Sequence, residues 1–492
     1  MTLSPGRPRG STGGFPGATA RPDEHAEAVM RMARSPRPQT SADRVVIVGA
    51  GFAGFTAARE LQRYTPHADI MLINPTDYFL YLPLLPEVGA GILEPRRICV
   101  SLPDRLPNVT LALGTVTAID VVGHGVEWVD PEGRQRATEF DRLVLAAGSV
   151  NKLLPIPGVA EHAHGFRGIS EALYLRDHIT RQLELAAATT DADERDARCT
   201  FVVVGAGYTG TEVAAQGQLF TARLARQLPG LRDQRMRWLL ADLSERLLPG
   251  LSERMSRTAE RVLRRRGLEI RLGESIEHAG PDCLRMTTGE EISTRSLIWC
   301  VGVRADPLVA ALSLPTDRGR LQVHETLVVP GHAHVFACGD CAAVPDVTRP
   351  GAVTGMTAQH AQRQGKLVAR NVAASLERRD LEPYKHHDLG FLVDLGGGKA
   401  AANPLHIPLS GLAAKTLTRG FHLLSLPGNR TRTATDWALN MIMPPRAVQL
   451  GLVDAGRVPL DCTGPAHRSP ISHESTASSE PQPSVDLVQL DR

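Results

Sequence analysis

Short β-branched and aliphatic runs, each ended by glycines and followed by apolar residues at helical spacing, set the rhythm of this chain. Arg44–Val48 reads as a buried strand, Gly49–Gly54 as a turn, Phe55–Tyr64 as a helix and Ile70–Ile73 as the next strand. Asp141–Ala146 is a further apolar strand ending before Gly148. The same plan then begins again, with strand Thr200–Val204, turn Gly205–Gly210, helix Thr211–Phe220 and strand Arg237–Ala241. Two more apolar strands follow, Ser296–Val301 before Gly302 and Val335–Cys338 before Gly339-Asp340. Alternating strands and helices predict parallel sheets, and the repeat predicts two nucleotide-binding units. The flanks break the pattern: residues 1–42 and 465–492 are rich in polar residues, Pro and Ser, and read as disordered tails.

At 492 residues the chain has room for two or three domains, and its 42% apolar and 22% charged content is ordinary for a globular protein. A net charge of +2 gives no polyanion preference, so nucleic acid is not an expected partner. Seven dispersed cysteines do not look like a disulfide framework and point to a reducing, cytoplasmic setting. The N-terminus lacks the apolar stretch of a signal peptide, and no apolar run reaches the roughly 18 residues of a membrane span.

The candidate chemistry starts at Gly49-Ala50-Gly51-Phe52-Ala53-Gly54, placed between a strand and a helix. In such a motif the first glycine permits a tight turn, the second lets a pyrophosphate approach the backbone, and the third lets helix and strand pack closely. The helix N-terminus offers free N–H groups and a partial positive charge to the phosphates. Gly205-Ala206-Gly207-Tyr208-Thr209-Gly210 repeats the arrangement. The residue ending the second strand of each unit is placed to meet a ribose hydroxyl. In the first unit it is Asn74, uncharged but with an acceptor oxygen. In the second it is Asp242, whose carboxylate repels a 2′-phosphate and so favours NAD over NADP; the competing reading is that Asp242 only caps the following turn. Together these features predict an α/β fold of two Rossmann-like domains.

Phe336–Asp340 resembles the strand-Gly-Asp signature of the two-dinucleotide flavoprotein reductases, which implies FAD at the first turn, with Gly339 beside the flavin and Asp340 on the ribityl chain. Asp141–Ser149, with Ala147 and Gly148, resembles that family's second FAD strand, and Leu297–Val303, with Gly302, its counterpart in the NAD domain. Within the superfamily, residues 44–390 are most similar to the type II NADH dehydrogenases, single-subunit NADH:quinone oxidoreductases of respiratory chains that do not pump protons. Tyr78–Pro86, including Pro83 and Leu84, resembles their segment beside the flavin; Tyr78 and Tyr81 read equally well as core aromatics. Thr357–Gly365, including Ala358 and Gln359, resembles their quinone-site helix. The family's second glutamine is replaced by Arg363, with Gln364 beside it. Glu212 matches a family glutamate near flavin and nicotinamide, and Gln216 stands where a second glutamate is often found.

The resemblance implies that the NAD domain (166–319) is inserted into a discontinuous FAD domain (43–165 and 320–385), followed by a C-terminal region (386–464). It implies hydride transfer from NADH to flavin and then electron transfer to a quinone, with Glu212 and Gln359 as the catalytic side chains. No cysteine falls in 75–98, so no thiol relay is expected, and Cys338-x-x-Cys341 reads as a chance spacing rather than a redox pair or half a zinc site. No metal site is expected. Leu412–Leu424 and Thr435–Met443 have apolar residues at helical spacing, including Leu417, Phe421, Leu424, Trp437 and Ile442. With Lys415, Arg419, Arg430, Arg432 and Arg446 nearby, this face predicts peripheral membrane contact on the cytoplasmic side, or else packing on the protein itself or on a second copy in a homodimer. Two rival functions stay open: a soluble flavoprotein reductase serving a ferredoxin-like protein or oxygen, and a redox sensor that binds NAD and FAD without sustained turnover.

Overall fold

The computed structural model describes residues 42–386, 390–404, 407–443 and 447–461. Apart from residue 42, the two expected tails lie outside the described residues.

The aliphatic runs form two mainly parallel sheets whose central strands are buried on both faces. The first has the order Val328–Val329, His332–Ala337, Arg142–Leu145, Arg44–Val48, Asp69–Asn74, Thr110–Leu113. Val45, Val46 and Ile47 at its centre are fully buried. The second has the order Ala163–Gly165, Leu297–Trp299, Thr200–Val204, Arg237–Asp242, Glu269–Leu272. Its first strand, Ala163–Gly165, lies just ahead of the limit expected at residue 165. Equivalent registers run through both: Val48 pairs with Ile73 and Val204 with Ala241, so Asn74 and Asp242 each stand one residue beyond the last pair at a carboxyl edge.

A backbone ladder ties the two units together. Ser149–Asn151 pairs antiparallel with Val303–Ala305, and Lys152 N donates to Gly302 O at 3.0 Å. Helix Ala358–Leu376 returns to the first unit and lies on helix Phe52–Tyr64. Gly365 allows this contact, because a Cβ there would strike the Ala53 carbonyl oxygen.

The cradle helices begin earlier than their apolar pattern predicts, at Phe52 and Tyr208 instead of Phe55 and Thr211. Gly51 and Gly207 are the N-caps, so the third glycine of each motif lies inside the first turn. Glycine is a poor helix former, but a Cβ on Gly54 or Gly210 would collide with the carbonyl oxygen of Gly49 or Gly205. Close packing outweighs propensity here.

The C-terminal region contains a small antiparallel sheet of Leu392–Asp394, Ala400–Ala402 and Leu409–Ser410, then helices Gly411–Ser425 and Arg430–Ile442. Among the described residues no helix is long and apolar enough to cross a membrane.

Candidate active site

Both glycine motifs open into one cavity of about 2100 Å³ between the two sheets. That exceeds the roughly 300–1,000 Å³ of a single small-ligand pocket and suits two dinucleotides. Gly49 and Gly205 turn the chain with φ of +92° and +110°, a backbone that other residues rarely adopt. Beside Gly51 and Gly207, no atom lies within 4 Å of where a Cβ would stand. The groove in front of each helix N-terminus is therefore open to a diphosphate, and the residues present fit a dinucleotide at each cradle.

Asn74 and Asp242 serve the cradles in the same way. Asn74 Oδ1 accepts from Ala50 N at 2.8 Å, while its Nδ2 donates to Thr76 O at 2.8 Å. Asp242 Oδ2 accepts from Ala206 N at 2.5 Å, and its Oδ1 accepts from Ser244 N at 2.7 Å. Asp242 thus does cap the following turn, and in addition faces the cradle and lines the cavity.

The remaining first-unit candidates converge on the same space. Ala147, Gly148, Gly339, Asp340, Ala358 and Pro83 all line the cavity, together with Phe52 and Ala53. Leu84 is instead buried behind the wall that Leu82, Pro83 and Leu85 present. Tyr78 and Tyr81 line the cavity, and Tyr81 is also a core residue, which joins the two readings of that segment. Ser149 Oγ donates to Asp340 Oδ2 at 2.8 Å. Gly302, Tyr208 and Thr209 line the second half.

Glu212 enters the cavity from the helix behind the second cradle. Burial raises its pKa to about 8, helped by the nearby Asp394 carboxylate and opposed by the Asp394 N–H, which donates to Glu212 Oε1 at 2.9 Å. Gln216 Nε2 donates to Asp394 Oδ2 at 3.0 Å. Gln359 lines the cavity and donates to Gly390 O at 2.7 Å.

The chain matches the model of the pyridine nucleotide-disulphide oxidoreductases over residues 43–365. It is 32% identical to the type II NADH:quinone oxidoreductase Ndh of Mycobacterium tuberculosis, over 84% of this chain and 90% of that protein. This chain belongs to the type II NADH:quinone oxidoreductase family. Another family member, from Staphylococcus aureus, is 27% identical over 75% of this chain and 92% of its own length. The fold is shared with the structure of NDH2 from Plasmodium falciparum in complex with NADH, with a TM-score of 0.76 at 17% identity, covering 82% of this chain and 99% of that one. The expected family and α/β fold are thereby borne out.

Arg363 of this type II oxidoreductase, where the resemblance leads one to expect a second glutamine, points to His386, its NH1 lying 2.9 Å from His386 Nδ1. Gln364, beside Arg363, does not line the cavity. It is buried, accepting from Gly339 N at 2.7 Å and donating to Thr354 Oγ1 at 3.0 Å, so it pins the Gly-Asp turn.

In the C-terminal helices, Lys415 and Trp437 follow the reading in which this face packs on the protein itself. Lys415 does not face lipid. It is buried, with Nζ 3.4 Å from Glu87 Oε1 and also paired with Asp394. Trp437 is buried too, its indole N–H on Glu87 Oε2 and its ring 4.8 Å from the Arg419 guanidinium. Burial pushes the Glu87 pKa up, and Lys415 opposes this. Arg430 spends its donors on the Leu424 and Leu426 carbonyls, and Arg446 lies outside the described residues. Leu424, Met441 and Ile442 are 75%, 75% and 78% exposed and keep an apolar outer face.

Sequence reasoning missed Ser149, Asp394, Glu87 and the pinning role of Gln364. Glu87 alone carried a signal, as a single carboxylate within the apolar stretch Leu82–Ile92. Cys338 and Cys341 are buried free thiols, and burial raises both pKa values, that of Cys341 to about 11. Neither is poised for thiolate chemistry. Among the described residues no group of His, Cys, Asp or Glu is arranged to hold a metal.

Proposed function

We propose that this chain oxidises NADH and reduces a quinone without proton pumping, holding FAD at the first cradle and NADH at the second. FAD, when bound, supplies the chemistry that accepts hydride from NADH and returns two electrons to the quinone. The observation that carries the reading is the single cavity shared by both cradles, in a chain of this family.

The protein supplies position and charge. Gly49–Gly54 and the N-terminus of helix Phe52–Tyr64 receive the FAD diphosphate, and Asp340, oriented by Ser149, receives the ribityl hydroxyls. Asp242 meets the NADH ribose and repels a 2′-phosphate. Glu212, with its pKa raised to about 8, holds a proton at neutral pH beside the reacting groups. Because the Asp394 N–H occupies Oε1, that proton belongs on Oε2. Gln359 orients the quinone, and Tyr81 and His360 line the same cavity.

The apolar outer face formed by Leu412, Leu424, Met441 and Ile442 rests on the cytoplasmic surface of the membrane, where quinone is available. A second copy covering that face in a homodimer is the competing outcome, and vesicle flotation separates the two.

The test of function is anaerobic. NADH should bleach the yellow holoprotein, and menadione or ubiquinone should restore the colour within the catalytic time. Bleaching without recovery would overturn quinone reduction.

A further inference from the structure

After the exposed helix Arg430–Ile442 the chain returns to the second sheet as a strap, residues 447–461. Two anchors fix it. Asp177, buried on helix Ile169–Ala188, accepts from both Leu450 N at 3.1 Å and Gly451 N at 2.8 Å through Oδ2. Further on, Leu460 is buried in the cluster of Val159, Ala163, Val204 and Trp299. Leu460 Cδ1 lies 3.2 Å from where a Cβ on Gly165 would stand.

This second anchor has a definite place. Gly165, Trp299 and Val204 are the last residues of three neighbouring parallel strands. Ligands of open α/β sheets bind outside the carboxyl ends of the strands. The sheet also has a polarity: Asp242 ends the strand on one side of Thr200–Val204, and Leu297–Trp299 and Ala163–Gly165 lie on the other. With the adenosine ribose at Asp242 and the diphosphate at Gly205–Gly210, the nicotinamide end extends over the side where Leu460 is seated. The three residues before Leu460, namely Arg457, Val458 and Pro459, line the cavity. Arg457 is exposed within it.

We propose that Arg457, Val458 and Pro459 form the wall against the nicotinamide end of NADH, held there by Leu460 and Asp177. The proposal rests on the second cradle taking NADH. Val458 and Pro459 give the wall its apolar surface, and Arg457 places a cation beside the nicotinamide-side ribose and phosphate. A segment some 250 residues from the second glycine motif thereby becomes part of its specificity.

Equilibrium binding to the oxidised holoprotein tests this without turnover. NAD⁺ and ADP are titrated by calorimetry against wild type, Arg457→Ala, Leu460→Asp and a chain ending after Gln449. ADP reports the cradle and Asp242 alone, so it also reports whether the second sheet is intact. The expected result is NAD⁺ binding weakened about tenfold by Arg457→Ala, the size of one charge-assisted hydrogen bond. It should be weakened further in the truncated chain and in Leu460→Asp, with ADP affinity unchanged in all three. Unchanged NAD⁺ affinity in Arg457→Ala and the truncated chain overturns the proposal. So does an equal loss for ADP and NAD⁺, which marks the strap as a support for the sheet alone. A wild-type protein that binds neither nucleotide refutes the NADH reading itself.

Discussion

Asn74 and Asp242 end equivalent strands in the two units, and each turns a side-chain oxygen back to the N–H of its cradle's second residue, Ala50 at 2.8 Å and Ala206 at 2.5 Å. One carries charge and the other does not. Both tie the tip of the second strand to the glycine turn, so in the proposed reading the ribose contact and the shape of the turn depend on one side chain.

Substitution at Asp242 separates these roles. Asp242→Ala should raise KM for NADH about tenfold or more, since a charge-assisted hydrogen bond is worth about 1.5–3 kcal/mol. It should also relax discrimination against NADPH. Asp242→Asn keeps an acceptor for Ala206 N, so it should relax discrimination with less loss of stability. Steady-state kinetics with both nucleotides decide the matter, and an unchanged NADH/NADPH ratio in both variants refutes the assignment.

Gln364 gives a stability prediction tied to flavin retention. Gln364→Leu removes the acceptor of a buried N–H, that of Gly339, which costs about 1–3 kcal/mol. The variant should melt earlier and lose FAD more readily on dilution, while NAD⁺ binding is kept. Differential scanning fluorimetry and the absorbance of the dialysed protein measure both effects.

Lys415 stands between Glu87 and Asp394 within the protein. Lys415→Met takes a buried cation from the buried Glu87 and the half-buried Asp394, leaving Glu87 only the Arg419 guanidinium at 4.0 Å as a cation, and should destabilise by about 3–5 kcal/mol. The pair Lys415→Met with Glu87→Gln should recover part of that loss, because the second change removes one uncompensated charge. Urea unfolding of both variants is the check; a double variant no more stable than the single one contradicts the pairing.

The raised pKa of Glu212 carries a pH signature. Between its ordinary value of 4.5 and about 8, the folded chain keeps the proton that the unfolded chain has released. The folded state therefore binds more protons, and stability falls as pH rises through that window, by at most about 1.4 kcal/mol per pH unit. Above pH 8 this contribution levels off. Glu212→Gln should show a flatter stability profile from pH 5 to 8, measured by urea unfolding at fixed ionic strength.

The fold was legible because glycine spacing and β-branched runs are local signals. Gly49–Gly54 and Gly205–Gly210 carry their geometry within six residues, and Asp242 was found by counting strands despite the long loop before it. Partners distant in the chain were not legible. Lys415 shares a surface-like pattern with Arg419, and nothing near it reveals that Glu87, 328 residues earlier, draws it inward. Gln364 stands beside Arg363 in sequence, yet lies about 100° around the helix from it, where its amide meets the buried Gly339 N–H. Trp437 shows the same limit: apolar periodicity identifies a face but not what covers it.

The antiparallel rungs joining Ser149–Asn151 to Val303–Ala305 are main-chain bonds between residues just past Gly148 and just past Gly302, the glycines that follow a strand in each unit. The two compartments therefore share a seam that no single side-chain substitution can cut.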